Sequence, residues 1–238
     1  PGVTTYAAEN ELLSLQWVCF TDAEADAGCR QLRVRSRGDA PLRLRLHVCM
    51  RFVLGTDRRA EPFTCVTPLP GLALAVNPAW PVLAFAAPLN EGVEINRLSP
   101  SALQGLWGME PWGLHPPAER GPQDAEPALR GATDRGNVAV LTQEITLAPG
   151  GSASFAYLTG IARQPEDIEQ LLTAYRQAGV SARLRAVQSY WSAELSRLTC
   201  HVPEEGLSLM LNLCLPYQVR TARLWSRAGL YQAGGAIG

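Results

Sequence analysis

There is no lysine in this 238-residue chain; all 21 of its basic residues are arginine. That removes a Schiff-base amine and a phosphate-loop lysine from its chemistry. Net charge is equally sparse. The 22 acidic residues leave a balance of -1, which offers no footprint for nucleic acid or anionic lipid. Histidine is thin, and His47, His115 and His201 stand too far apart in sequence to form a local site. The six cysteines (Cys19, Cys29, Cys49, Cys65, Cys200 and Cys214) show no C-x-x-C pair and no metal-ligand spacing. No metal site is therefore expected, and the thiols read as free, buried and cytoplasmic. Neither a signal peptide nor a transmembrane segment is expected; the apolar run of the terminal helix falls short of the roughly 20 residues of a span, and Arg220, Arg223 and Arg227 interrupt its continuation.

What is there is a globular mix, 47% hydrophobic and 18% charged, enough for one large or two modest domains. Leu32, Val34 and Ser36 alternate with Arg33, Arg35 and Arg37. After Gly38-Asp39, Leu42, Leu44, Leu46 and Val48 alternate with Arg43, Arg45 and His47. A period of two predicts a hairpin with one face in a core and one face wet. The arginine row is open to two readings, an anion site or a solvated face that discourages edge aggregation.

Short apolar runs follow (63–66, 72–76 and 82–87), divided by Pro68, Pro70-Gly71, Asn77-Pro78 and Pro88. Such spacing predicts an antiparallel β-sandwich. Residues 108–136 read as a long irregular loop. Trp107 and Trp112 at its start are candidates for stacking on sugar rings or for plugging a core, while Glu119, Asp124 and Glu126 read as solvating charges. A last hairpin is predicted from Leu141, Ile145 and Leu147, through Pro149-Gly150-Gly151, to Phe155–Leu158.

At Gln164 the period changes. Pro165-Glu166-Asp167 starts a helix, and Ile168, Leu171, Leu172 and Tyr175 form its stripe. Gly179 stops it and Ser181 is placed to cap the next, whose stripe is Leu184, Val187, Trp191, Leu195 and Leu198. Val202-Pro203-Glu204-Glu205 opens a third helix. Its first turns are apolar nearly all round (Leu207, Leu209, Met210, Leu211, Leu213, Cys214, Leu215), which predicts burial inside a larger protein, and Pro216 is expected to kink it. The chain then runs into glycines up to Gly238, as a piece of a larger enzyme would.

Three motifs in this region carry a resemblance: Asn212-x3-Pro216-Tyr217-Gln218, Arg223-x-Trp225-x-Arg227, and Tyr231-Gln232-x-Gly234-Gly235-Ala236-x-Gly238. Together they resemble the first barrel helix of the family 94 glycoside hydrolases. These are inverting phosphorylases of β-linked glucosides, and the family includes the C-terminal region of cyclic β-1,2-glucan synthases. The Tyr-Gln-x-Gly-Gly-Ala-x-Gly spelling is closest to the cyclic glucan synthase and β-1,2-oligoglucan phosphorylase branch. Val53-Leu54-Gly55, Asn77-Pro78 and Ile95-Asn96-Arg97 fall in the order found in that family's N-terminal β-sandwich.

The resemblance implies a mainly β fold. A β-sandwich (supersandwich) over residues 1–162 would lead through a helical linker, 163–200, to the start of an α/α barrel, 201–238. It also implies a β-glucan oligosaccharide as ligand, the remainder of the barrel as partner, a homodimer, and inorganic phosphate as co-substrate with no cofactor. Inverting phosphorolysis needs one carboxylic acid on the glycosidic oxygen while phosphate attacks the opposite face. The family's acid lies in an Asp-Trp-Asn-Asp-like motif that does not occur in this sequence. No catalytic residue is therefore assigned, and the chain alone is expected to be inactive. Substrate binding is expected at Arg227, Tyr231, Gln232, Gly234 and Gly235, where missing side chains let backbone approach a ligand. The alternative reading is a stand-alone, non-catalytic carbohydrate-binding or assembly module.

Overall fold

The period-two alternation becomes ten antiparallel strands in a computed structural model that describes residues 1–52, 54, 65–98 and 138–225. In chain order they are β1 (Val3–Glu9), β2 (Leu13–Thr21), β3 (Ala27–Ser36), β4 (Leu42–Arg51), β5 (Cys65–Leu69), β6 (Leu72–Val76), β7 (Leu83–Pro88), β8 (Glu94–Leu98), β9 (Val138–Leu147) and β10 (Ser152–Ala162). Seven of them form one sheet in the order β1-β2-β3-β10-β7-β6-β5, and β4-β9-β8 form a second. The fold is mainly β, a two-sheet sandwich followed by helices.

The large sheet is covered on both faces, and the sequence of an inner strand shows why. In β7, Ala84 and Ala86 pack with Leu141, Phe155 and Tyr157 in the layer between the sheets, and Phe85 and Ala87 point the other way, toward the helices. A strand buried on both sides has no polar alternation to display. The helices are α1 (Pro165–Ala178) and α2 (Val180–Leu195). From them Ile168, Leu172, Tyr175, Val187 and Trp191 join Val18, Phe20, Cys29 and Leu158 in a second core.

Two expected hairpins are not hairpins. β3 pairs with β2 and β10, whereas β4 pairs with β9, so the Gly38-Asp39 turn carries the chain from one sheet to the other. Pro149-Gly150-Gly151 does the same between β9 and β10. The two corners lie side by side, with the Ser36 amide donating to the Gly151 carbonyl at 2.9 Å. A period of two fixes which residues face the core, but both a flat hairpin and a corner satisfy it. The arginine rows consequently belong to different sheets and face away from each other. Arg37 meets Glu9 at 3.0 Å and Arg45 meets Glu144 at 2.7 Å, both as exposed pairs. Among the described residues these two rows form no single arginine face for an anion.

Pro68 lies within β5 rather than between strands; β5 is an edge, where a missing amide is tolerated. Pro70-Gly71 makes the β5–β6 turn, with Gly71 at φ 72. Ser181 does not cap α2. Gly179, at φ 79, ends α1 and begins α2, its carbonyl accepting from Ala182 and Arg183. Leu198 falls beyond the end of α2 and is exposed.

One close approach makes a test of the sheet centre. A Cβ on Gly160, in β10, would sit 2.5 Å from the Asp26 carbonyl oxygen and 2.8 Å from the Phe85 ring. That carbonyl already accepts from the Ile161 amide, so it cannot move freely. Gly160→Ala is expected to cost about 1–3 kcal/mol as an overpacking change, read as a lower urea midpoint with an unchanged slope. A wild-type midpoint would show that the sheet yields there.

Candidate functional site

The third helical stretch runs as one rod through α3 (Glu205–Leu209), a π-helical turn (Met210–Cys214) and α4 (Leu215–Trp225). Glu204 caps it, its carboxylate accepting from the amides of Gly206 (2.9 Å) and Leu207. The expected kink at Pro216 takes the form of that π turn, in which the Leu215 amide reaches back five residues to the Met210 carbonyl. Proline has no amide to donate, and a widened turn just ahead of it absorbs the break in the ladder.

Of the Asn212-x3-Pro216-Tyr217-Gln218 motif, Asn212 and Tyr217 seat this rod, while Gln218 is exposed. Asn212 brackets the backbone of Cys200. Its Oδ1 accepts from the Cys200 amide at 2.7 Å, and its Nδ2 donates to the Cys200 carbonyl at 2.9 Å. A third bond joins Nδ2 to Ser208 Oγ at 3.1 Å. Tyr217 stands edge-on to Trp191 of α2, with ring centroids 4.8 Å apart, and Trp191 meets Tyr190 the same way at 5.5 Å. Arg220 pairs with Glu194 of α2 at 3.1 Å, and Glu194 also meets Arg197 at 2.5 Å. The partner of Arg220 is thus the linker helix.

A buried polar cluster fixes α1 and α2 on the sheet. Asp22, at the end of β2, accepts from the Tyr175 hydroxyl at 2.6 Å, and its Oδ1 accepts from the Glu24 amide at 2.9 Å. Arg183 Nη1 lies 3.9 Å from Asp22 and 3.6 Å from Glu24, with its guanidinium 5.2 Å from the centre of the Tyr175 ring. Burial, reinforced by the hydrogen bond to Asp22, pushes the Tyr175 phenol far above its ordinary range. It is a permanent donor. Sequence reasoning missed Asp22 because its partners are 153 residues away for Tyr175 and further along for Arg183, and nothing local marks the pairing.

Burial pushes the Cys29 thiol up to about 12 and Cys49 to about 11, so both are poor nucleophiles at neutral pH. Cys214, expected to be buried, is exposed. His47 shares a 3.0 Å hydrogen bond with Thr142, and burial followed by Arg45 lowers its pKa. Among the described residues no group of three or more His, Cys, Asp or Glu is placed to hold a metal ion, and no helix is long and apolar enough to cross a membrane.

The expected substrate-binding residues Arg227, Tyr231, Gln232, Gly234 and Gly235 lie outside the described residues, as do Trp107, Trp112, Glu119, Asp124 and Glu126. What the structure describes is the support that leads to the first group. That support is partly open: Leu207, Leu209, Met210, Leu215 and Val219 are each between 38% and 54% exposed. A helix expected to be buried thus leaves several large apolar side chains half-exposed.

No family model matches the chain. It is 30% identical over 112 residues to a cyclic beta-(1,2)-glucan synthase of Rhizobium meliloti, a match covering 46% of this chain and 4% of that protein. It is 32% identical over 100 residues to an N,N'-diacetylchitobiose phosphorylase of Vibrio proteolyticus, covering 41% of this chain and 12% of the relative. The chain therefore spans only a small part of the curated relatives it matches. Among solved structures it is similar to a kojibiose phosphorylase from the human microbiome, with 8% identity and a TM-score of 0.47 over 81% of this chain and 23% of that one. The sequence relatives bear out the resemblance to the N-terminal portion of a family 94 protein.

Proposed function

We propose that this chain is the substrate-binding and structural N-terminal part of an enzyme that acts on β-linked glucans by inverting phosphorolysis or transglycosylation. The sandwich (1–162) and helical linker (163–200) would hold the first barrel helix (201–238) in place. The observation that carries this reading is the match to a glucan synthase and to phosphorylases, in a chain whose terminal helix is seated by its own motif residues Asn212 and Tyr217. Arg227, Tyr231, Gln232, Gly234 and Gly235 would contact the sugar. The catalytic acid would come from outside this sequence, and phosphate would be the co-substrate. The exposed Leu209, Met210 and Leu215 would pack against further barrel helices.

Reading the coding DNA past Gly238 tests the proposal first. A frame that continues into an Asp-Trp-Asn-Asp-like motif supports it; a stop codon removes catalysis from the account. The encoded protein is then expected to release a sugar α-1-phosphate from a β-linked disaccharide in the presence of phosphate, because attack on the face opposite the β bond inverts the anomer. The 238-residue chain alone should bind a hydrophobic dye, and Leu209→Glu with Leu215→Glu should reduce that signal several-fold. A monodisperse, dye-negative monomer would favour the stand-alone binding module instead.

A further inference from the structure

We propose that the outer edge of β1 docks a second copy of this chain, the two β1 strands pairing antiparallel so that the large sheets run on as one. The proposal does not rest on the carbohydrate reading above. A sheet edge presents unpaired amides and carbonyls, and proteins blunt it with proline, charge or brevity. The described edges differ in this respect. β5 has Pro68 within it, β8 is five residues long and carries Glu94 and Arg97, and β4 carries Arg43, Arg45 and Arg51. β1 has none of these devices. It reads Val-Thr-Thr-Tyr-Ala-Ala-Glu, stays in unbroken register with β2, and is exposed at every residue from Thr4 to Glu9. Its one charge, Glu9, stands at its end and meets Arg37.

The β1–β2 ladder fixes which backbone groups are on offer. At the turn the Asn10 amide donates to the Leu13 carbonyl at 2.9 Å. Directly opposed residues of an antiparallel pair alternate between bonded and unbonded. Counting back from Asn10, Ala8, Tyr6 and Thr4 bond to β2, whereas Val3, Thr5, Ala7 and Glu9 turn their amides and carbonyls to the outer edge. A two-fold axis at Tyr6 satisfies them all. It sets Val3 opposite the second copy's Glu9 and Thr5 opposite the second copy's Ala7, so outward groups meet outward groups and no like charges face each other. Symmetric pairings centred on Thr5 or Ala7 also match outward groups, but they align fewer residues.

Side chains favour the same centre. Tyr6 stands directly across from Trp17, Trp17 from Leu32, and Leu32 from Phe155, which places this row on the face away from the helices. Tyr6 is 61% exposed and Trp17 39%, and among the described residues neither has a ring partner. Pairing at Tyr6 joins the rows of the two copies into one aromatic strip, with the two tyrosines at the close spacing of an unbonded pair.

Sedimentation equilibrium of the 238-residue chain is the test. A dimer is expected, and Leu209→Glu with Leu215→Glu should leave it in place. Thr5→Pro removes an outward amide and none that bonds to β2, so it should weaken the dimer at least tenfold with the fold retained. Should that variant fail to fold, Tyr6→Lys at the exposed surface sets two like charges face to face instead. Tyr6→Lys and Tyr6→Glu should each be monomeric alone and should pair when mixed, a rescue that follows from the register centred on Tyr6. The proposal is overturned by a monomeric wild type, by a dimer indifferent to Thr5→Pro and Tyr6→Lys, by a mixture that fails to pair, or by a dimer lost only with the Leu209 and Leu215 changes. It is overturned as well if the encoded protein stays monomeric and still protects the Thr5 and Ala7 amides from exchange, since a different strand would then hold this edge.

Discussion

Trp191→Ala is expected to destabilise the protein by about 3–5 kcal/mol, the range for emptying a large aromatic site in a core. The side chain is 5% exposed and stands where three layers meet. On one side it packs with Val18, Phe20 and Val187 above the large sheet, and on the other it takes the edge of Tyr217 from the terminal rod. Its loss therefore opens a cavity and also removes the surface on which the rod rests. Two readouts separate these effects. The urea midpoint should fall, and amide exchange in 205–225 should quicken more than exchange in β3, β7 and β10. Trp191→Phe should recover part of the midpoint, since it returns most of the buried ring. A loss below about 1 kcal/mol, with the rod as protected as before, would mean that Trp191 is not the seat described.

The second large effect is expected at Asp22. Its side chain is 3% exposed, and removal leaves the Tyr175 hydroxyl without its acceptor and Arg183 without one of its two carboxylates. Arg183 Nε is already buried without a partner, so there is little local capacity to compensate. Asp22→Ala should cost about 2–3 kcal/mol and Tyr175→Phe about 1.5 kcal/mol. The double variant should cost clearly less than their sum, because removing both partners leaves fewer groups unsatisfied. Strict additivity would refute the coupling. The pH dependence has a definite sign. A phenol whose folded pKa is raised contributes stability fully below its ordinary value, about 10, and that contribution is lost as pH climbs toward the folded value.

Much of the architecture was legible because local rules suffice for it. Leu32, Val34 and Ser36 alternate with arginines along β3, and Ile168, Leu172 and Tyr175 recur at the helical period along α1. What was misread depended on distant partners. The corners after β3 and β9 look like hairpins because turn residues report a reversal but not the sheet to which the next strand belongs. Ser181 looked like a cap, yet a glycine free to adopt positive φ ended one helix and started the next in a single residue. Leu198 continued the stripe of α2 on paper after the helix itself had stopped. At the candidate site, Asn212 and Tyr217 stood out by their motif, but nothing local showed that they would grip Cys200 and Trp191. Asp22 gave no signal at all.

The paired corners at Ser36 and Gly151 also govern how the protein reaches this state. Neither sheet can be assembled from neighbouring strands alone there: Arg45 meets Glu144 across 99 residues of sequence, and Arg30 meets Thr159 across 129. Both sheets must wait for β9 and β10 before their centres close. A chain with such long-range pairing folds slowly for its size. During synthesis, β1 to β8 would stand for some time with their inner faces wet, an interval in which a chaperone or an early-folding neighbour decides between maturation and aggregation.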